Sequence, residues 1–167
     1  MKKMLGMMVA TMVVAGLIGT LITARYVTAG ETDRDGRFIA YADGTVLDTS
    51  TNLMWAAKDN GSNINWSDAK SYCENYRGGG YKDWRMPTQD ELAGLYDASK
   101  ASTNPPSVGC SGGYHITKLI HLTCGIPWAS ETRGSDAAYF YFYNGERLWT
   151  HQSLDYKARA LPVRSVK

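Results

Sequence analysis

Cysteine is scarce in this sequence, and its spacing does not suit a metal site. Three cysteines occur among 167 residues, at positions 73, 110 and 124. They form no C-x-x-C pair, and His115 and His121 each stand alone, so we predict no zinc site and no other metal. No cysteine precedes Cys73, which argues against a lipid-modified lipoprotein.

A basic surplus is also missing once the N-terminus is set aside. The full chain carries 18 lysines and arginines against 16 aspartates and glutamates. Lys2, Lys3 and Arg25 belong to the first 29 residues, which leaves 15 basic against 16 acidic residues, a net charge of −1. Without a basic stripe, we expect no nucleic-acid partner.

The N-terminus holds a long hydrophobic run. Two lysines precede an uncharged stretch over residues 4–23. We predict a secretory signal peptide or a membrane anchor in residues 1–29: the length of the run favours an anchor, whereas the small residues at 27–29 favour cleavage. The remainder is then exported to the periplasm, the cell surface or the medium. An uncleaved segment would tether it to the inner membrane and would be its contact with the membrane.

Three cysteines in an exported protein predict one disulfide and one remaining thiol. Cys110 and Cys124 flank a short glycine-rich segment, and we predict that they pair. The bridge would hold the irregular region 104–125, which has little apolar periodicity. Cys73 lies in a predicted helix and is the remaining thiol.

The predicted elements follow one another as strands, two helices, a long loop region and further strands. We interpret residues 30–37 as a polar linker and residues 38–167 as one domain. The stretches "NINWSDAKSYCENY" and "RMPTQDELAGLYD" have helical periodicity, and Thr88 with Glu91 fits a capping box. This order indicates an α+β fold with an antiparallel sheet rather than βαβ alternation.

The stretch "AAYFYFYNGERLW", residues 137–149, alternates tyrosine with phenylalanine and then reads Asn-Gly, which is a β-hairpin signal. A two-residue turn would mix the two faces of the hairpin. A three-residue loop with Gly145 in the left-handed conformation would place Tyr139 opposite Trp149 and Tyr141 opposite Arg147. We favour the three-residue loop because it turns the phenylalanine rings to the core and the tyrosine rings to the other face of the hairpin.

Aromatic rings combined with arginine are typical of a binding surface. The alternative explanation is a solvated strand of high β propensity, or a strand face covered by a loop. We predict that Tyr139, Tyr141, Arg147 and Trp149 of the hairpin bind a ligand together with Trp128, which we expect to lie on a loop.

Five blocks, "DTSTNLMWA", "NWSDAKSYCENY", "GGGYKDWRMPTQDELAGLYD", "PWASET" and "ARALPVR", occur in this order. Together they resemble the Lcl C-terminal domain family, a bacterial exported family of largely unknown function that is named after a collagen-like adhesin. The resemblance covers roughly residues 43–164. It implies a C-type-lectin-like fold with two short helices, a small antiparallel sheet and a long loop region that carries ligand sites. The family is distantly similar to the formylglycine-generating enzyme superfamily and to the variable receptor proteins of bacteria and phages.

The sequence departs from lectin-like domains at two points. Cys73 has no cysteine partner in the last strand, and the E-P-N and W-N-D triplets of calcium lectins are absent. The missing triplets argue against calcium-dependent sugar binding, and we predict no cofactor. The D-W-R-M-P-T block is explained by a scaffold role. Trp84 would fill the core, and Arg85 would pair with Glu91 or Asp83.

We therefore expect an exported, non-catalytic binding module that recognises a protein, peptide or glycan through the aromatic hairpin and the loop region. One alternative is a membrane-anchored structural or envelope-assembly subunit, whose aromatic face contacts a neighbouring subunit. A second is an enzyme related to the formylglycine generators. That chemistry needs reactive cysteines and a metal, which a core cysteine and a disulfide do not supply.

Overall fold

A computed structural model describes residues 29–101 and 105–166 of the chain. The described elements are β1 (Glu31–Asp35), β2 (Phe38–Tyr41), β3 (Thr45–Asp48), β4 (Leu53–Ala56), α1 (Trp66–Asn75), α2 (Gln89–Leu95), β5 (Trp128–Arg133), β6 (Asp136–Tyr141), β7 (Glu146–His151) and β8 (Val163–Ser165). The fold is α+β, as predicted. The predicted N-terminal hydrophobic helix lies outside these residues. Within the described residues, no helix has the length and apolar character needed to cross a membrane.

The strands form two antiparallel sheets rather than the one small sheet expected. The larger sheet has the order β1-β2-β3-β4-β8, and the smaller has the order β5-β6-β7. In the larger sheet Trp55 of β4 lies opposite Val163 of β8. Strands from the beginning and the end of the domain therefore meet in one sheet, and β5 to β7 form a separate layer.

Residues 30–37 are not a linker, because most of them form β1 and its turn into β2. Four of the five side chains of β1 are exposed, which is why its sequence has no apolar alternation. β1 is held in the sheet by its antiparallel backbone pairing with β2. A later loop also holds it, because the Thr117 hydroxyl donates to the Asp35 carboxylate at 2.6 Å.

Two clusters of buried side chains form the core. The larger lies between the two sheets and α2 and includes Trp55, Leu92, Phe140 and Phe142, so the prediction that the phenyl rings face the core is confirmed. The loop region adds four residues to it, Tyr114, Ile116, Ile120 and Leu122. Each such side chain stabilises the domain by roughly 1.5–3 kcal/mol on burial. The smaller cluster packs α1 against β5 and β6.

Polar side chains cap the first turn of both helices. The Asn65 side chain accepts the N–H of Asp68 at 3.0 Å at the start of α1. At α2, Thr88 and Glu91 form the predicted capping box, and Arg85 pairs with Glu91 at 2.6 Å. Burial alone would raise the pKa of Glu91, but the hydrogen bonds from Arg85 and Thr88 outweigh it and lower that pKa.

The hairpin of β6 and β7 differs from both predicted registers. Tyr139 lies opposite Leu148, and Tyr141 lies opposite Glu146. Residues 142–145 therefore form a four-residue loop instead of one of two or three residues.

Phe142 and Tyr143 explain the longer loop. Phe142 is fully buried, and its N–H donates to the Gly125 carbonyl at 2.9 Å. The Tyr143 hydroxyl donates to the Ser111 carbonyl at 3.1 Å. The loop region holds both residues, so neither pairs with β7. Gly145 has a φ of 81°, the left-handed conformation predicted for it.

Candidate ligand-binding cleft

The observed register separates the predicted binding residues between two faces of the smaller sheet. Residues opposite each other in an antiparallel pair share a face. Tyr139 and Tyr141 therefore share a face with Leu148, whereas Arg147 and Trp149 lie on the other face. The prediction of one face with all four residues is wrong, because a shift of one residue turns every side chain of a strand to the opposite side.

Arg147 and Trp149 have protein partners on their own face. The Arg147 guanidinium lies 2.7 Å from the Asp90 carboxylate. The guanidinium of Arg133 lies 4.4 Å above the Trp149 ring, and Trp149 also packs against the larger core. These two residues therefore belong to the α2 side of the sheet.

Trp128 is a core residue and not a loop residue. It is the first residue of β5 and only 1% exposed, and its indole N–H donates to the Ile64 carbonyl at 2.9 Å. Its ring meets the Tyr139 ring edge to face, with 6.2 Å between centroids. The prediction that Trp128 presents its ring to a ligand from a loop is wrong, because the ring lies beneath Tyr139 and supports it.

A shallow cleft lies on the tyrosine face, above Trp128. Its lining comes from the three strands of the smaller sheet and the segments that flank them, namely Ile126, Trp128, Tyr139, Thr150, Leu154, Tyr156 and Ala158. We refer to these residues as the aromatic cleft. Its volume is about 50 Å³, far below the roughly 300–1,000 Å³ of pockets that enclose whole small molecules. The cleft can take one side chain or part of a sugar ring from a larger partner.

Leu154 and Tyr156 form the exposed rim of the aromatic cleft. Leu154 is 41% exposed and Tyr156 is 62% exposed. Most large apolar side chains in the described part of the chain are buried. Two exposed ones beside one apolar depression indicate a contact surface for a partner.

Tyr139 supplies a polar group to the same cleft. Within residues 29–101 and 105–166, no hydrogen bond involves its hydroxyl. Burial, with smaller effects of Tyr141 and Glu146, raises the pKa of Tyr139. The phenol therefore stays protonated at neutral pH and can donate a hydrogen bond to a carbonyl or hydroxyl of a ligand.

A larger cavity, of about 470 Å³, lies between the β1–β2 turn and the end of α2. Its charged groups already have partners within the protein. Asp35 pairs with Lys100 and accepts from Thr117 at 2.6 Å, and Arg37 pairs with Asp48 at 3.1 Å. Since these charges are satisfied within the protein, the aromatic cleft is the stronger candidate.

The aromatic cleft lies inside a segment that matches a known family. Residues 44–166 match the sequence model of the Lcl C-terminal domain. This chain belongs to the Lcl C-terminal domain family. The resemblance inferred from the five sequence blocks is confirmed. No curated protein matches the chain.

A buried polar network holds one wall of the cleft in this Lcl C-terminal domain. Arg159 is 2% exposed and donates to the side-chain oxygens of Thr123 at 2.7 Å and Asn63 at 2.9 Å. Asp59 accepts the N–H of Thr123 at 2.7 Å. Burial raises the pKa of Asp59 against the opposing effect of these hydrogen bonds and of Arg159. The network ties three distant segments together and so positions Ala158, the wall residue next to Arg159.

The predicted disulfide of this Lcl C-terminal domain is present. Cys110 and Cys124 are bonded, and Cys73 is free and buried in α1. Burial raises the pKa of Cys73 to about 12, so its thiol stays protonated and is a poor nucleophile. Among the described residues, no three His, Cys, Asp or Glu side chains are grouped as metal ligands. The absence of catalysis stays a prediction.

Leu154 and Tyr156 were not among the predicted ligand-binding residues of this Lcl C-terminal domain. Their signal is the segment "SLDYK", residues 153–157, where two apolar residues stand in a polar loop directly after the aromatic hairpin. An apolar residue in a loop without periodicity is either a core anchor or a contact residue. Only its exposure in the fold distinguishes the two.

Proposed function

We propose that this Lcl C-terminal domain is an exported, non-catalytic binding module that holds a protein, peptide or glycan at the aromatic cleft. The observation that carries the proposal is that Leu154 and Tyr156, both exposed, line the same cleft as Tyr139. Apolar contact at the rim would supply affinity, and the hydroxyl would orient the ligand. Tyr141, on the same face, extends this surface along β6.

Export is supported by the disulfide between Cys110 and Cys124. Such bonds persist in oxidising compartments and are rare in the cytosol. The predicted signal peptide or anchor in residues 1–29 agrees with this location.

A C-type-lectin-like architecture is part of the proposal. Two helices, antiparallel sheets and a long irregular region between α2 and β5 support it. The rim of the aromatic cleft lies on the segment between β7 and β8 and not on that long loop region. Because a fold alone does not determine which ligand a protein binds, the experiment below tests residues of the aromatic cleft.

Binding should be screened on a glycan array and on a displayed peptide library, with the wild-type protein and three variants. Tyr156→Ala removes an aromatic contact at the rim, and we expect about tenfold to thirtyfold weaker binding to every ligand found. Tyr139→Phe removes only the hydroxyl and should weaken the ligands that accept its hydrogen bond. Tyr41→Ala is the matched control, because Tyr41 lies on the larger sheet. Unchanged binding by Tyr156→Ala would contradict the proposal.

A further inference from the structure

Sheet edges expose backbone N–H and C=O groups that pair with another strand unless the chain guards them. The described strands present four edges, β1 and β8 in the larger sheet and β5 and β7 in the smaller one. How each edge is protected shows where the domain is open to another strand.

Three of these edges are guarded. Arg85 exchanges backbone hydrogen bonds with Val163 of β8, at 2.9 and 3.0 Å. The N–H of Trp128 in β5 donates to the Arg159 carbonyl at 2.9 Å. β1 has the sequence ETDRD, and four charged side chains in five residues disfavour pairing with another strand.

The edge of β7 is bare. The N–H of Phe140 points towards β5, where it bonds to the carbonyl of residue 127. The direction of the backbone N–H and C=O groups alternates from residue to residue along a strand. Those of Tyr139 and its partner Leu148 therefore point at each other, and those of Arg147 and Trp149 point away from β6. Within the described part of the chain, no backbone hydrogen bond from a loop or turn reaches the N–H or C=O of Arg147 or Trp149.

We propose that β7 pairs antiparallel with β7 of a second copy of this chain, in a register centred on Leu148. The two small sheets then become one continuous sheet across a twofold axis. In this register Arg147 of each copy lies opposite the partner's Trp149 and exchanges both backbone hydrogen bonds with it. A closed dimer of this kind uses the same surface on both copies.

The side chains of β7 select this register over its neighbours. The two neighbouring registers, centred on Arg147 and on Trp149, also bring the outward backbone groups together. One places two copies of Arg147 directly opposite each other, which like charges disfavour. The other places two copies of Trp149 opposite each other and Arg147 opposite His151. The Leu148-centred register instead sets the Arg147 guanidinium beside the partner's Trp149 in both halves. This cation–aromatic contact would add to the contacts that the two side chains already make with Asp90 and Arg133.

Strand pairing of this length buries little surface, and interfaces well under about 1,200 Å² are weak and transient. The test therefore traps the dimer covalently. Across a pair of residues that is not hydrogen-bonded, the Cα atoms lie about 4.5 Å apart, within the range of about 4.4–6.8 Å that a disulfide spans. Leu148 lies at such a pair in the proposed dimer.

The full-length chain carrying Leu148→Cys is exported in cells and run on a non-reducing gel, beside the wild type and a Thr150→Cys chain. We expect a reducible dimer for Leu148→Cys. Thr150→Cys should give none, because the two copies of residue 150 lie four residues apart along the strands, about 13 Å. Co-expressed Glu146→Cys and Thr150→Cys chains should cross-link, because the register puts these positions opposite each other.

Adding Arg147→Pro to Leu148→Cys tests the backbone contribution. Proline removes an outward N–H and leaves the β6–β7 hydrogen bonds in place, so we expect about tenfold less dimer from a folded chain. Arg147→Ala controls for loss of the side chain and should retain more dimer. Absence of a Leu148→Cys dimer, or equal cross-linking of Leu148→Cys and Thr150→Cys, would overturn the proposal. The comparison of Leu148→Cys with Thr150→Cys does not involve proline, so it tests the proposal even where the Arg147→Pro variant fails to fold.

Discussion

Replacing Arg159 with methionine tests whether the buried polar network stabilises the domain. Methionine keeps much of the side-chain length but removes the guanidinium, which lies 3.9 Å from Asp59 and donates to Thr123 and Asn63. Asp59 is then a buried carboxylate without a neighbouring opposite charge. Removal of one partner of a buried ion pair costs about 3–5 kcal/mol, and we expect a loss of that size in the free energy of unfolding.

Urea unfolding measures this loss. Domains of this kind have unfolding free energies of about 5–15 kcal/mol, so a variant that loses about 4 kcal/mol still folds in water. With an m value of about 2 kcal/mol per molar urea, the midpoint should fall by about 2 M. The slope of the transition should stay unchanged, because the surface exposed on unfolding is the same.

The Arg159→Met loss should depend on pH through Asp59. Burial raises the pKa of Asp59 in the folded domain above its unfolded value, so the folded state holds the proton more tightly. The stability that protonated Asp59 contributes is present at low pH and is lost as pH rises through the folded pKa. Without Arg159 that pKa rises further. The difference in unfolding free energy between variant and wild type should therefore shrink as the pH falls below neutral, because Asp59 of the variant takes up its proton first.

Arg164→Met is the matched control. Arg164 pairs with Asp83 at 2.7 Å, but the Asp83 side chain is 47% exposed and stays hydrated when its partner is removed. The variant also loses the contact of the Arg164 guanidinium with the Tyr81 ring, 3.9 Å away, so we expect a loss of about 1–2 kcal/mol there. Equal losses at the two arginines, or a loss below about 1 kcal/mol for Arg159→Met, would refute the reasoning. Adding Asp59→Asn to Arg159→Met should restore part of the loss.

Two further changes test the loop region and the hairpin. Alanine at both Cys110 and Cys124 opens a loop with a sequence separation of 14, which should cost about 3 kcal/mol; a reducing agent should then lower the melting temperature of the wild type but not of the variant. Gly145→Ala forces a side chain into a φ of 81° and places its Cβ 2.9 Å from the Tyr96 ring, so the loss should exceed the roughly 1–2 kcal/mol of the backbone conformation alone. Gly134→Ala is the control for the left-handed backbone conformation alone, because no atom lies within 4 Å of its Cβ. Equal melting temperatures for the two variants would show that the contact with Tyr96 has no effect.

Features decided by neighbouring residues were predictable from the sequence. Thr88 and Glu91 satisfy each other within one helical turn, so their spacing alone predicts the cap. The disulfide followed from the number of cysteines and the segment between Cys110 and Cys124. In both cases the residues that form the feature lie close together in the chain, so contacts with distant residues are not needed to predict it.

Features that depend on contacts between residues far apart in the chain were not predictable from the sequence. The hairpin register depends on Phe142 and Tyr143, which residues of the loop region hold in place. Periodicity within the hairpin carries no record of those contacts. Similarly, β1 depends on its pairing with β2 and not on an apolar pattern. The aromatic cleft combines both kinds of feature, and so its tyrosine was predicted but its rim was missed.

The pairing of β4 with β8 also determines when the domain can finish folding. Trp55 is fully buried and lies opposite Val163, from which most of the chain separates it in sequence. Contacts between such distant residues form slowly, because a long stretch of chain must be ordered first. A chain that crosses a membrane while it is being made cannot complete this sheet until β8 has emerged. For an exported chain, as proposed above, the larger core would then assemble only after translocation, in the compartment where the disulfide between Cys110 and Cys124 also forms.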